Sequence, residues 1–196
     1  MVRGLRLRTA YRGARSRRGC RSGLAGARAR VQCHTSPVAE IRRATPADAV
    51  HLAQLRYEFR AALNNPVEDR EHFIARCAAW MAERLDEGST WKCWVAEAGG
   101  AIHGHLWLQL IEKVPNPVPE RELHGYITNV YVQPEARGEG TGAMLLEAAL
   151  AHCREAGVDS VILWPTERSQ PLYAGHGFDF PRDLMEAVLD PGRKLQ

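Results

Sequence analysis

The sequence predicts an α/β domain, a mixed central β-sheet flanked by helices, behind an arginine-rich leader. Three observations lead there. Hydrophobic spacing alternates between helical and strand periods in the order β-α-α-β-β-β-α-β-α-β. A strand near residue 130 runs through a glycine-rich turn straight into an amphipathic helix. Charge also divides the chain: residues 1–36 hold ten arginines and no acid, and the remaining 160 hold sixteen basic and twenty-three acidic side chains.

With 196 residues, 45% hydrophobic and 25% charged, there is room for one domain with a core. No run of eighteen apolar residues occurs, which excludes a membrane-spanning helix. Cys20, Cys33, Cys77, Cys93 and Cys153 are scattered without CxxC pairing. That excludes a zinc ribbon and makes reduced thiols in a cytoplasmic compartment the default.

Residues 1–37 have few large apolar side chains and read as a disordered basic leader, with the folded domain at 38–196. Four origins compete for the leader: a transit peptide for organellar import, a nucleic-acid-binding arm, an inert tail, or a reading frame begun upstream of the true start. The composition favours the last two, since arginine outnumbers lysine 23 to 3 and Val38 precedes the first strand. Nucleic acid is therefore disfavoured as a partner.

Residues 39–43 are a short strand candidate. Thr45 then reads as a helix N-cap, with Pro46 in the first helical position and Asp48 in the third. Leu52, Leu55 and Phe59 share a helical face until Asn64-Asn65-Pro66 stops it. A second helix carries Ile74, Cys77, Ala78, Met81 and Leu85 and stops at Gly88. Residues 91–97 alternate as a strand, Gly99-Gly100 is a hairpin turn, and 102–112 return. In the returning strand Ile102, Leu106, Leu108 and Leu110 are assigned to one face. His103, His105 and Trp107 are assigned to the other, under the helices; no third ligand adjoins the two histidines, so no metal site is assigned.

Pro115, Pro117 and Pro119 make 113–124 a stiff loop of the kind that borders binding sites. A strand over 126–132 leads through the glycine turn to a helix with Leu146, Ala149, Leu150 and Cys153 on one face, capped by Gly157. Residues 161–163 read as a short strand, 168–174 as a short helix, and Phe178 to about Leu189 as the closing strand or strands.

Strand, glycine turn, helix is an arrangement that binds anions. Gly138, Gly140 and Gly142 leave the backbone N–H groups uncovered at the positive end of a helix dipole, which suits a pyrophosphate. A Walker A loop is excluded because Ala143 follows Gly142 in place of Lys-Ser/Thr. A dinucleotide-binding loop would follow a first strand rather than a fourth.

The run Val132-Gln133-Pro134-Glu135-Ala136-Arg137-Gly138-Glu139-Gly140-Thr141-Gly142-Ala143-Met144-Leu145-Leu146 resembles the acetyl-CoA-binding motif of the GCN5-related N-acetyltransferases (GNAT family). That family's Gln/Arg-x-x-Gly-x-Gly/Ala is matched by Arg137, Gly140 and Gly142. Downstream, Leu172-Tyr173-Ala174-Gly175-His176-Gly177-Phe178 resembles the family's Leu-Tyr-x-x-x-Gly-Phe. The resemblance covers roughly residues 39–189.

It implies acetyl-CoA as co-substrate, with no metal. The pyrophosphate would lie on the amides of Arg137, Gly138, Glu139, Gly140, Thr141, Gly142 and Ala143. The pantetheine arm would lie along Val130, Tyr131 and Val132, where the N–H of Val130 or Val132 would polarise the thioester carbonyl. Tyr173 would protonate the departing thiolate; its alternative is a core aromatic anchoring Gly177-Phe178. Thr166 stands where relatives often carry Asn, which puts that side-chain contact to the coenzyme in doubt.

The implied reaction is direct attack of a primary amine, of a small molecule or peptide, on the acetyl group. Glu122 and His124 are the candidate proton acceptors, and Asn129 is a candidate acceptor-binding residue. The domain's net charge of −7 favours cationic acceptors at encounter. A homodimer is compatible with the resemblance. The alternative function is a non-catalytic, CoA-binding sensor or partner module on the same fold.

Overall fold

Alternating apolar residues between 91 and 132 build the three longest strands, and the other elements attach to them. In the computed structural model, which describes residues 39–190, β2 (Trp91–Ala98) turns at Gly99-Gly100 into β3 (Ala101–Glu112). The proline loop returns the chain as β4 (Leu123–Val132), while β1 (Glu40–Arg43) pairs with β2 and β5 (Ser160–Ile162) with β4. The five-stranded sheet runs in chain order, antiparallel except between β4 and β5. The mixed sheet is the expected one. The leader, and the boundary assigned to it, lie outside the described residues.

Each face of the sheet is covered by two helices. On one side α1 (Ala49–Ala61) and α2 (Arg70–Arg84) bring Leu52, Leu55 and Met81 onto Val95, Trp107 and Tyr131. On the other, α3 (Thr141–Glu155) and α4 (Gln170–Ala174) pack Leu145, Leu146, Ala149 and Tyr173 onto Leu106, Leu108 and Ile127. Full burial of a Leu or Ile side chain contributes about 1.5–3 kcal/mol. The side chains of Leu52, Leu106, Leu108, Leu145 and Leu146 are completely withdrawn from solvent. Among the described residues no helix is long and apolar enough to cross a membrane.

Three expectations are corrected. Ile102 packs in the α1–α2 cluster with Trp107, not with Leu106 and Leu108, because the β2–β3 register shifts between Ala96 and Glu97. An extra residue in β3 there reverses the alternation on which the assignment rested. β4 begins at Leu123, three residues earlier than expected. No strand follows α4 among the described residues; Phe180, Met185 and Leu189 are largely exposed, and Pro181 interrupts the run.

Entry into α1 is fixed electrostatically. A 3-10 turn at Pro46–Asp48 precedes the helix, and Thr45 N–H donates to Asp48 Oδ2 at 2.7 Å. Arg42 grips both carboxylate oxygens of Asp48 at 2.9 Å and donates from Nε to Glu97 at 2.6 Å, joining β1, this turn and β2. The Arg42 guanidinium, against the effect of burial, holds the Asp48 carboxyl down at about 2. A carboxylate whose pKa falls on folding adds stability above its unfolded pKa, near 4, and loses it as pH falls toward the folded value. Asp48→Asn should therefore lower Tm at pH 6, and the gap to the unsubstituted protein should close between about pH 4 and 2. Parallel Tm curves over that range would contradict this account.

Candidate functional site

The site begins where β4 parts from β5. Their parallel ladder covers only His124–Ser160, Gly125–Val161 and Tyr126–Ile162. Beyond Tyr126 that edge of β4 has no strand partner among the described residues. On its other edge, pairing passes from Trp107↔Thr128 to His105↔Tyr131, so β4 carries one extra residue, a bulge. Asn129 occupies it with φ of 51°, a left-handed conformation that Asn tolerates better than most side-chain-bearing residues.

The peptide joining Val132 to Gln133 shows which groups face the open edge. Gln133 N–H donates to His103 O on β3 at 2.8 Å, so the Val132 carbonyl points the opposite way. Arg137 Nε donates to that carbonyl at 2.8 Å. Alternation along the strand then directs the N–H groups of Val132 and Val130 to the open edge. Their side chains pack toward α3, and that of Tyr131 packs toward α1.

The chain next makes a 3-10 turn at Pro134–Ala136 and enters the glycine loop. Gly138 and Gly140 have φ of 87° and 82°, values that require glycine, and a Cβ added to either would meet nothing within 4 Å. Gly140 is the N-cap of α3, and the first closing bond of the helix runs from Met144 N–H to Gly140 O at 3.0 Å. The amides of Thr141, Gly142 and Ala143 precede it and have no acceptor within the helix. They adjoin the open space beside Gly138 and Gly140, the cradle a pyrophosphate fits. Glu139 and Arg137 are exposed on the loop, and Thr141 is buried beneath it.

α4 docks against this loop: a Cβ at Gly142 would lie 3.5 Å from Leu172 Cδ2. The neighbouring Tyr173 is 8% exposed and edge-on to Phe178, with ring centroids 5.8 Å apart. Burial raises its pKa above the usual value, with Ser169 pulling the other way, so the phenol keeps its proton at neutral pH. Thr166 opens the turn before α4 through Ser169, whose Oγ accepts from Thr166 N–H at 2.9 Å.

The strand end, the glycine loop and the helix bearing Tyr173 thus converge. Glu122 and His124 lie at the other end of β4. His124 Nδ1 is 2.8 Å from Ser160 Oγ, and Glu122 Oε1 accepts from Asn116 N–H at 3.3 Å. At about 3.3 Å per residue, His124 is roughly 16 Å along the strand from Asn129. Among the described residues, no three His, Cys, Asp or Glu side chains are grouped to hold a metal.

A polar set beneath the bulge was not assembled by sequence reasoning. Arg56 Nη1 donates to Asn129 Oδ1 at 2.8 Å, and fully buried His105 lies beside the same asparagine. Neither ring nitrogen of His105 makes a hydrogen bond of ordinary geometry among the described residues. Burial lowers its pKa to about 4, with Arg56 and His51 adding to the effect and Asn129 opposing it, so the imidazole is neutral at pH 7. The sequence signal was faint: Arg56 and Arg60 are one helical turn apart beside the apolar residues Leu52, Leu55 and Phe59.

Comparison with known proteins places this geometry. The sequence pattern of the Acetyltransferase (GNAT) family matches residues 52–178. A curated aminoglycoside N(6')-acetyltransferase type 1 from Stenotrophomonas maltophilia is 32% identical over 60% of this chain and 69% of its own length. The crystal structure of a GCN5-related N-acetyltransferase from Ralstonia eutropha JMP134 superposes with a TM-score of 0.59 at 31% identity, covering 76% of this chain and 98% of that one. The fold alone is shared at 21% identity, with a TM-score of 0.64, by a predicted acetyltransferase from Clostridium acetobutylicum crystallised with acetyl-CoA, over 77% of this chain and 96% of that one. With the β4 edge, the glycine loop and Tyr173 all inside the matched span, the chain belongs to the Acetyltransferase (GNAT) family.

Proposed function

We propose that this protein is an acetyl-CoA-dependent N-acyltransferase that acts on a primary amine of a small molecule or peptide by direct attack. The observation that carries this is one continuous track: the open edge of β4 at Val130–Val132 leads past Arg137, whose N–H is taken by Pro134 O at 3.3 Å and so is not free as expected, into the uncovered amides of residues 138–143. An extended amide-bearing arm ending in a pyrophosphate matches both halves of that track. The curated relative named for aminoglycoside acetylation supports an amine as the acceptor.

When bound, acetyl-CoA supplies an acyl group activated as a thioester. The chain's own residues do the rest. The amides of Gly138 to Ala143 hold the pyrophosphate without a positive side chain, using the N-terminal field of α3. The N–H of Val130 or Val132 donates at the acyl end of the track, where negative charge grows on the carbonyl oxygen. Tyr173, protonated at neutral pH, donates to the departing sulfur. An amine must lose a proton to attack. Glu122 or His124 would serve as acceptor only through a water chain along β4, given their distance from the bulge.

Saturating acetyl-CoA, at about 100 times Kd, should stabilise the protein by about 2.7 kcal/mol, or roughly 5–10 °C in Tm. Thiol release should follow for at least one class of amine. A shift without release across a broad amine panel would favour the non-catalytic CoA-binding module, and no shift would remove both readings. Tyr173→Phe should lower kcat on the order of 100-fold while leaving the acetyl-CoA shift in place. An unchanged kcat would return Tyr173 to its packing role against Phe178.

A further inference from the structure

A cleft of about 580 Å³ lies where α1 gives way to the loop before α2, with Arg56, Arg60, Tyr57, Asn64, Glu68 and Phe73 among its walls. Its electrostatics are unbalanced. Arg56 and Arg60 stand one helical turn apart in the same wall, close enough that Arg60, after burial, is the second cause holding the Arg56 pKa below its ordinary value. The hydrogen bond recorded for the Arg56 side chain goes to Asn129 Oδ1, a neutral acceptor. Arg60 Nη1 is inaccessible to solvent and has no hydrogen-bond partner among the described residues. The carboxylate in the wall, Glu68, is turned to Arg76, which donates to its two oxygens at 2.6 and 3.1 Å.

Two half-buried guanidinium groups facing one cavity without a carboxylate between them are costly to maintain. An oxyanion removes that cost, because guanidinium forks match carboxylate and phosphate oxygens and the resulting bonds are charge-assisted. The cleft is also joined to the reaction track. The same Arg56 that lines it holds Asn129 in the bulge, immediately before Val130. A molecule anchored by its anionic end between Arg56 and Arg60 therefore presents its other end toward β4.

We propose that this cleft is the acceptor subsite, and that the acceptor is an amine also carrying an oxyanion, carboxylate or phosphate, held between Arg56 and Arg60. This rests on the acyl-transfer reading above. It also reverses locally what the domain's overall charge of −7 suggests. Net charge governs approach over long distances, whereas two cations inside a cavity govern what stays.

The test is thiol release with matched pairs of amines. L-amino acids are set against their amides, and O-phosphoethanolamine against ethanolamine; the two arms separate carboxylate from phosphate. At least one anionic member should exceed its neutral partner at least tenfold in kcat/KM. Arg60→Gln should raise the KM for that anionic amine 10- to 100-fold and narrow the gap to its neutral partner, and Arg60→Lys should recover part of the affinity. The acetyl-CoA shift in Tm, measured on each variant, checks that the variant is folded. If acetyl-CoA stabilises the protein and neutral or polycationic amines are turned over as well as or better than anionic ones, the proposal is overturned and the acyl-transfer reading stands; if no amine is turned over, both give way to the non-catalytic CoA-binding module. An unaltered KM in a folded Arg60→Gln also overturns the proposal. If acetyl-CoA does not bind, both readings fall together.

Discussion

The extra residue in β4 is the constraint on which the rest of the site depends. A regular strand would continue its ladder with β5 and use its backbone groups within the sheet. The bulge at Asn129 bends β4, and pairing with β5 ends at Tyr126. What remains is a half-strand with donors and acceptors facing open space, ending in a loop whose glycines keep side chains away from the amides. Such an edge is ordinarily a liability for aggregation. Here Arg137 takes the last carbonyl, at Val132, and the glycine loop turns the chain away immediately afterwards.

Holding an asparagine in a left-handed conformation costs about 1–3 kcal/mol and requires support from its surroundings. Arg56 supplies it through the 2.8 Å bond to the Asn129 side chain, with the buried, neutral ring of His105 beside the same asparagine. α1 is therefore more than a cover for the sheet. Its Leu52 and Leu55 bury the helix, and the next residue, Arg56, connects that buried face to the bulge of β4. The clasp of Arg42 on Asp48 and Glu97 fixes the start of the same helix against β1 and β2. Position is passed along a rigid element, from a surface ion pair to the bulge.

Much of this was legible in the sequence because it rests on local rules. Glycines at 138, 140 and 142 directly before an amphipathic run mark a turn that opens a helix, and two motifs in order gave the family resemblance. Hydrophobic period located nearly every helix and strand. The failures share a cause. The bulge in β3 moved Ile102 to the opposite face, and nothing in an apolar alternation announces an inserted residue. The segment after Phe178 has strand-like residues, but its pairing depends on a neighbour it does not reach. Arg56, Asn129 and His105 are far apart in sequence, and only the tertiary fold brings them to one place.

The central claim is that the open edge of β4 and the glycine loop form one binding track for acetyl-CoA. Amide hydrogen exchange, measured residue by residue with and without acetyl-CoA, addresses it directly. The account predicts slowed exchange at Val130, Val132 and residues 138–143, with His124 to Tyr126 unchanged because β5 already pairs with them. Protection absent from Val130 and Val132, or confined to the loop before α2, would contradict it.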